Sequence, residues 1–144
     1  MTEISVQFIE NPTPFWKERV EKNANVAERI LNSKEFATEF TRQSLTETDG
    51  KTAEEICREL QNAGQVNLKI GFYRRLLTRA IAFERDGSVY LNTAKAENGA
   101  GSPGNLAHEL AHTLGYKHES NWQGESTTTV PYVVGYIVDR ISTR

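Results

Sequence analysis

Residues 108–118 read His-Glu-Leu-Ala-His-Thr-Leu-Gly-Tyr-Lys-His, and all three histidines of the chain lie within this stretch. The spacing matches the pattern H-E-x-x-H-x-x-G-x-x-H at every fixed position. Residues four apart share one face of a helix, with Cβ atoms about 5–6 Å apart, so we expect His108 and His112 to aim at one cation. Glu109 projects about 100° further round the helix, where it can contact water beside the cation rather than the cation itself.

His118 lies six residues beyond His112 and would point away from the cation if the helix continued. Gly115 removes this conflict, because glycine readily adopts the left-handed conformation that ends a helix. We therefore expect the chain to turn at Gly115 and bring His118 back as a third ligand. Three neutral imidazoles with an open position are typical of a catalytic zinc site, although they also accept other transition metals. The sequence predicts one zinc ion per chain, held by His108, His112 and His118.

Glu109 is a candidate general base beside the predicted zinc ion. A zinc ion acidifies a bound water and polarises a carbonyl oxygen, and a neighbouring carboxylate can take the proton of that water as general base. The residues therefore predict a zinc-dependent hydrolase that uses a metal-activated water. The alternative is a catalytically weak or silent zinc-binding interaction module. The carboxylate at position 109 favours catalysis, because a silent zinc site does not need it.

Segment 108–118 resembles the metzincin clan of zinc metalloproteases. The resemblance implies zinc on the three histidines and peptide hydrolysis assisted by Glu109, so the first functional hypothesis is a zinc-dependent endopeptidase. It also implies a methionine in a tight turn beneath the metal, whereas the only methionine of this chain is Met1. Residues 128–132, Thr-Thr-Val-Pro-Tyr, resemble the astacin-like turn S-x-M-x-Y, with Val130 in place of methionine. The chain therefore looks like a minimal or divergent metzincin.

Two further expectations follow from this resemblance. Tyr132 matches the tyrosine of the astacin-like turn, and three roles stay open for it: a zinc ligand, a hydrogen-bond donor to the oxyanion, or a packing aromatic at a helix start. The strand at residues 89–92 is expected to be the edge of the sheet and to run antiparallel to a bound peptide. An extended peptide or protein substrate would then add to this strand through backbone hydrogen bonds.

The apolar pattern outside the motif predicts an α+β fold, in which a small mixed sheet packs on helices. The zinc-binding helix is expected at residues 105–114 after a loop at 94–104, and a C-terminal helix at 131–141. The other expected elements are strands at 4–8 and 66–73, a hairpin of 80–83 and 89–91, helices at 15–31 and 53–60, and a short, ambiguous helix within 34–45.

Three features have both a functional and a structural interpretation. Residues 99–104, Gly-Ala-Gly-Ser-Pro-Gly, fit the dinucleotide pattern G-x-G-x-x-G, but no parallel strand is expected after the next helix, so a flexible loop is favoured. The arginines at 74, 75, 79 and 85 lack the interleaved aromatics of a nucleic-acid surface and are interpreted as a solvated face. Glu119 and Glu125 near the motif are interpreted as surface charges rather than partners of the zinc ligands.

Length and composition limit the number of domains and the classes of partner that this chain can have. The 144 residues, 38% hydrophobic and 25% charged, suit one globular domain spanning 1–144. The net charge of -2 gives no indication of nucleic acid or of an anionic membrane as partner. The single cysteine, Cys57, excludes an internal disulfide framework and lies on the apolar side of its helix, so we expect a buried thiol. A cytoplasmic location is favoured, and a secreted chain without its leader would have the same features.

Overall fold

The computed structural model describes residues 1–117 and 127–144 and has a mixed α+β architecture, as the sequence predicts. In chain order its elements are β1 (Thr2–Phe8), α1 (Pro14–Leu31), α2 (Lys34–Phe40), α3 (Ala53–Gln61), β2 (Gly64–Tyr73), β3 (Ala82–Arg85), β4 (Ser88–Asn92), a 3₁₀ helix (Thr93–Asn98), α4 (Pro103–Thr113) and α5 (Val130–Ser142).

The four described strands form one mixed sheet in the order β1-β2-β4-β3. β1 pairs with β2 and β2 with β4 in parallel, whereas β3 and β4 form an antiparallel hairpin. Asp86 and Gly87 join that hairpin with φ values of 52° and 78°, the two positive angles that a tight two-residue turn requires. The predicted hairpin and the mixed sheet are therefore confirmed.

The prediction that residues 89–92 form the sheet edge is wrong. β4 pairs with β2 on one side and with β3 on the other, so neither of its edges is open to a peptide. The tight turn places β3 directly outside β4. The Asn92 side chain then fixes the connection before β3: its Oδ1 accepts from the Arg75 N–H at 3.1 Å, and its Nδ2 donates to the Ala80 carbonyl at 3.0 Å.

Local capping explains where the helices begin. Thr13 accepts from the backbone N–H of Trp16 before Pro14, and Thr52 forms the predicted capping box with Glu55. α4 begins at Pro103, two residues earlier than expected, because the Ser102 side chain caps it. Part of the loop predicted at 94–104 is the 3₁₀ helix.

The core lies between the sheet and the helices. α1 packs against β1, α4 packs against β2, and α5 packs on α4, α1 and α2. Alternate residues of β2, including Leu68 and Ile70, are buried on the face that meets the helices. Cys57 is buried as predicted, and burial raises the pKa of its thiol. This arrangement sets α4 between the sheet and α5.

Within residues 1–117 and 127–144, no helix has the length and apolar character needed to cross a membrane.

Candidate functional site

The start of α4 is attached to α5 by Asp139. The Asp139 Oδ1 atom accepts from the Gly104 backbone N–H at 2.7 Å, and its Oδ2 atom accepts from the Ser102 hydroxyl at 3.2 Å. The Ser102 Oγ atom in turn accepts from the Asn105 N–H at 3.0 Å. These contacts satisfy N–H groups that a helix start leaves without an intrahelical partner. They also occupy N–H donors that a phosphate would use at this glycine-rich turn, which argues against a dinucleotide site at residues 99–104. The flexible loop expected there is wrong for residues 103 and 104, which begin α4.

Residues from α1 hold the segment that leads into α4. The Arg19 guanidinium donates to the carbonyl oxygens of Ala100 at 2.9 Å and Ala96 at 3.0 Å. The Asn23 side chain donates to the Gly101 carbonyl at 2.8 Å. The beginning of α4 is therefore fixed from two sides, by α1 and by α5.

Two glycines bring α5 against the helix that carries the histidines. A Cβ atom added at Gly104 would lie 2.3 Å from the carbonyl oxygen of Gly135. One added at Gly135 would lie 2.9 Å from the Gly104 carbonyl oxygen and 3.2 Å from the Cβ atom of His108. Only hydrogen fits at either position without displacing a neighbour, so the packing at this crossing positions His108.

His108 and His112 lie one turn apart on α4, as predicted, and both are half-buried. Their Nε2 atoms are 3.1 Å apart. Two nitrogens bound to a tetrahedral zinc at about 2.0–2.1 Å would lie about 3.3 Å apart, so this donor pair fits such an ion. Among the described residues no group of three or more metal-ligating side chains is present. The third predicted ligand, His118, lies outside the described residues, so its role stays a prediction.

The protonation of His112 follows from its second ring nitrogen. Its Nδ1 atom lies 2.9 Å from the Tyr116 carbonyl oxygen, which can only accept a hydrogen bond. Nδ1 therefore carries a proton, and in the neutral imidazole Nε2 carries the lone pair that faces His108. Fixing the tautomer and ring orientation of a histidine in this way is typical of metal ligands.

Gly115 has a φ of 100° and ends α4 as predicted. Its N–H donates to the His112 carbonyl at 2.9 Å, and the Tyr116 N–H donates to the Ala111 carbonyl at 3.0 Å. This is the pair of hydrogen bonds of a Schellman motif. The turn directs the Tyr116 carbonyl back to His112. Residues 118–126, which include His118, Glu119 and Glu125, lie outside the described residues, so the predictions for them are untested.

Tyr116 is also held from the other side, by α3. Its hydroxyl donates to the Glu59 carboxylate, which forms an ion pair with Lys51 at 2.9 Å. The Lys51 ammonium lies 5.6 Å from the centre of the Tyr116 ring. Burial and the Glu59 contact raise the pKa of the Tyr116 hydroxyl. The role of Tyr116 was not predicted from the sequence. Its position directly after Gly115 could have indicated it, because in a Schellman motif the residue after the glycine folds back onto the helix end.

Glu109 is only 6% exposed. Burial, and secondly repulsion from the Glu84 carboxylate, raise the pKa of Glu109 to about 7. A carboxyl group with such a pKa can both accept and release a proton near neutral pH. Glu84 lies on β3, and its influence on the site was not predicted because it depends on how the sheet meets α4.

Tyr132 lies in the first turn of α5 and is half-buried. Within the described part of the chain, no hydrogen bond or ring contact joins it to His108 or His112. Val130, two residues earlier, is buried in the core. The three roles considered for Tyr132 therefore stay open.

Comparisons of the chain with protein-family models, curated proteins and solved structures give no match. The likeness to metzincins therefore rests on the motif at residues 108–118 and stays a prediction.

Proposed function

We propose that this protein is a zinc-dependent endopeptidase of metzincin type. The observation that carries the proposal is the convergence of the His108 and His112 Nε2 atoms at 3.1 Å, with the His112 lone pair set by its bond to the Tyr116 carbonyl. These two residues would hold zinc, and the sequence motif adds His118. When bound, zinc supplies Lewis acidity toward a water molecule and a carbonyl oxygen.

Glu109 is the general base of this proposal. Its carboxylate accepts a proton from the water that attacks the scissile carbonyl carbon, and returns it to the amide nitrogen that leaves. A pKa of about 7 suits both transfers, because the group neither holds nor loses its proton completely at neutral pH. We expect its partner to be a peptide or protein substrate. We also propose a cytoplasmic location, which the single cysteine favours.

A catalytically weak zinc-binding module is the second candidate. The burial of Glu109 favours it, because a carboxyl group that is 6% exposed has little contact with solvent water. Both candidates use the same histidines and differ in whether Glu109 reaches a substrate-side water.

Removal and return of the metal test the proposal. Peptide hydrolysis should cease when a chelator removes zinc and should return when one equivalent is added. His108→Ala and His112→Ala should lose both zinc and hydrolysis, whereas a surface change such as Glu97→Gln should lose neither. Stoichiometric zinc binding without any cleavage across a peptide library would favour the module. Failure to bind zinc would contradict both candidates.

A further inference from the structure

β3 presents an edge that no described strand covers. The opposite edge of the sheet, at β1, is covered by side chains that accept hydrogen bonds from its backbone. There the N–H of Thr2 donates at 3.0 Å to the side chain of Asn32, which follows α1, and the N–H of Ile4 donates at 2.6 Å to the carboxylate of Glu28 in α1. A covered edge and an open edge on one small sheet make β3 the place where an extended peptide can add.

The register of the hairpin shows which backbone groups face outward. The Asn92 N–H donates to the Ile81 carbonyl at 2.8 Å, so these two residues form a hydrogen-bonded antiparallel pair. Such pairs alternate with non-hydrogen-bonded ones, and Glu84 stands opposite Val89 in one of the latter. The N–H and C=O groups of Ala82 and Glu84 therefore point away from β4, toward the open edge.

Side chains alternate between the two faces of β3. Phe83 stacks on Tyr90 with ring centres 5.0 Å apart on one face, and Arg85 shares that face. Glu84 lies on the other face with the buried Val89, toward the helices. Its carboxylate is exposed. The open edge of β3 thus presents Glu84 on the face of the sheet that also packs against α4.

We propose that Glu84 is a specificity-determining residue that selects substrates with lysine or arginine at the position paired with it on the open edge of β3. A peptide residue directly opposite Glu84 shares its backbone hydrogen bonds and its face of the sheet, where opposite charges attract. Glu84 has no ion-pair partner within residues 1–117 and 127–144, so its carboxylate is available to a peptide. Arg85 lies on the other face and meets a different peptide side chain.

This inference rests on the proposed function only for the cleavage that follows peptide binding. Binding itself can be measured separately. The probe is a set of fluorescein-labelled hexapeptides of alternating threonine and valine, with one central residue changed to lysine, glutamine or glutamate. Their dissociation constants for Glu109→Gln protein are measured by fluorescence anisotropy, at low and at high salt. Peptides of this kind can slide until the central residue faces Glu84.

The lysine peptide should bind about three- to tenfold more tightly than the glutamate peptide at low salt. This is the effect expected when a solvent-exposed attractive charge pair with Glu84 replaces a repulsive one. High salt should reduce this ratio. Glu84→Lys in the same background should reverse the order. Glu3→Lys makes the same change of charge on the covered edge strand β1 and should leave the order unchanged. Equal binding of all peptides, or equal effects of the two lysine variants, would overturn the inference.

The two proposals fail in different ways. Cleavage by the native protein without any preference for lysine over glutamate would contradict the role of Glu84 and leave the peptidase standing. A lysine preference in binding that Glu84→Lys reverses, with no cleavage by the native protein, would support Glu84 and contradict the peptidase.

Discussion

The Nδ1 atom of His112 lies 2.9 Å from the carbonyl oxygen of Tyr116, and this contact links the end of α4 to the candidate metal centre. The carbonyl reaches the ring because Gly115 adopts a φ of 100° between the two residues. The conformation of one glycine therefore orients an imidazole.

Replacing Gly115 with alanine tests this link. A Cβ at Gly115 would meet no atom within 4 Å, so the cost is that of the left-handed backbone, about 1–2 kcal/mol of unfolding free energy. Zinc affinity should also fall about tenfold, as when a contact that orients a metal ligand is lost. Denaturant unfolding and competition with a chelator measure the two effects.

Gly64→Ala is the matched control. Gly64 has a φ of 71°, and a Cβ there would also lie in open space. The control should lose similar stability and keep its zinc affinity. If both variants bound zinc equally well, the turn at Gly115 would have no part in orienting His112.

The crossing of α4 and α5 leads to a second prediction. Gly135→Ala should lower the unfolding free energy by about 1–3 kcal/mol and weaken zinc binding, because the new methyl group presses on His108. Gly71→Ala is a control of similar tightness on the sheet, where the Cβ would lie 2.7 Å from the Tyr90 ring. Gly71→Ala should lose stability while binding zinc normally. Normal zinc binding by Gly135→Ala together with weakened binding by Gly71→Ala would contradict the role of the crossing.

Asp139 gives a third prediction. Asp139→Ala leaves the Gly104 N–H without its acceptor at the start of α4 and should cost about 1–2 kcal/mol of unfolding free energy. Asp139→Asn keeps one oxygen as acceptor and should cost less. Thermal unfolding compares the variants, and equal losses would show that the hydrogen bond is not the cause.

The raised pKa of Glu109 makes the stability of the zinc-free protein depend on pH. Below pH 4.5 the carboxyl is protonated in both the folded and the unfolded chain, so it has no effect. Between pH 4.5 and about 7 the unfolded chain releases the proton first, so stability falls as pH rises, by about 3 kcal/mol in all. Urea unfolding of chelator-treated protein should show this loss, and Glu109→Gln should reduce it. An identical pH profile in the two proteins would contradict the shift.

The sequence predicts features that depend on neighbouring residues. The caps at Thr13 and Thr52, the turn at Asp86-Gly87 and the end of α4 at Gly115 follow from local backbone preferences, and the structure has all of them. The pairing of His108 with His112 is local in the same sense, because helical spacing determines it.

Features that depend on tertiary packing were not predictable. The position of β4 inside the sheet depends on which strands pair, and no local pattern specifies that order. Asp139 caps a helix 35 residues earlier in the chain, and Glu84 on β3 contributes to the raised pKa of Glu109 on α4. Such contacts follow from the fold as a whole.

The role of Glu109 as the general base of a zinc peptidase is tested by the cleavage rate of a fluorogenic peptide by native and Glu109→Gln protein at equal zinc content. Glutamine keeps the volume of the side chain and lacks the proton acceptor, so we expect unchanged zinc binding and a rate about 10²–10⁴-fold lower. Cleavage by Glu109→Gln protein at the native rate would contradict the role of Glu109 as general base.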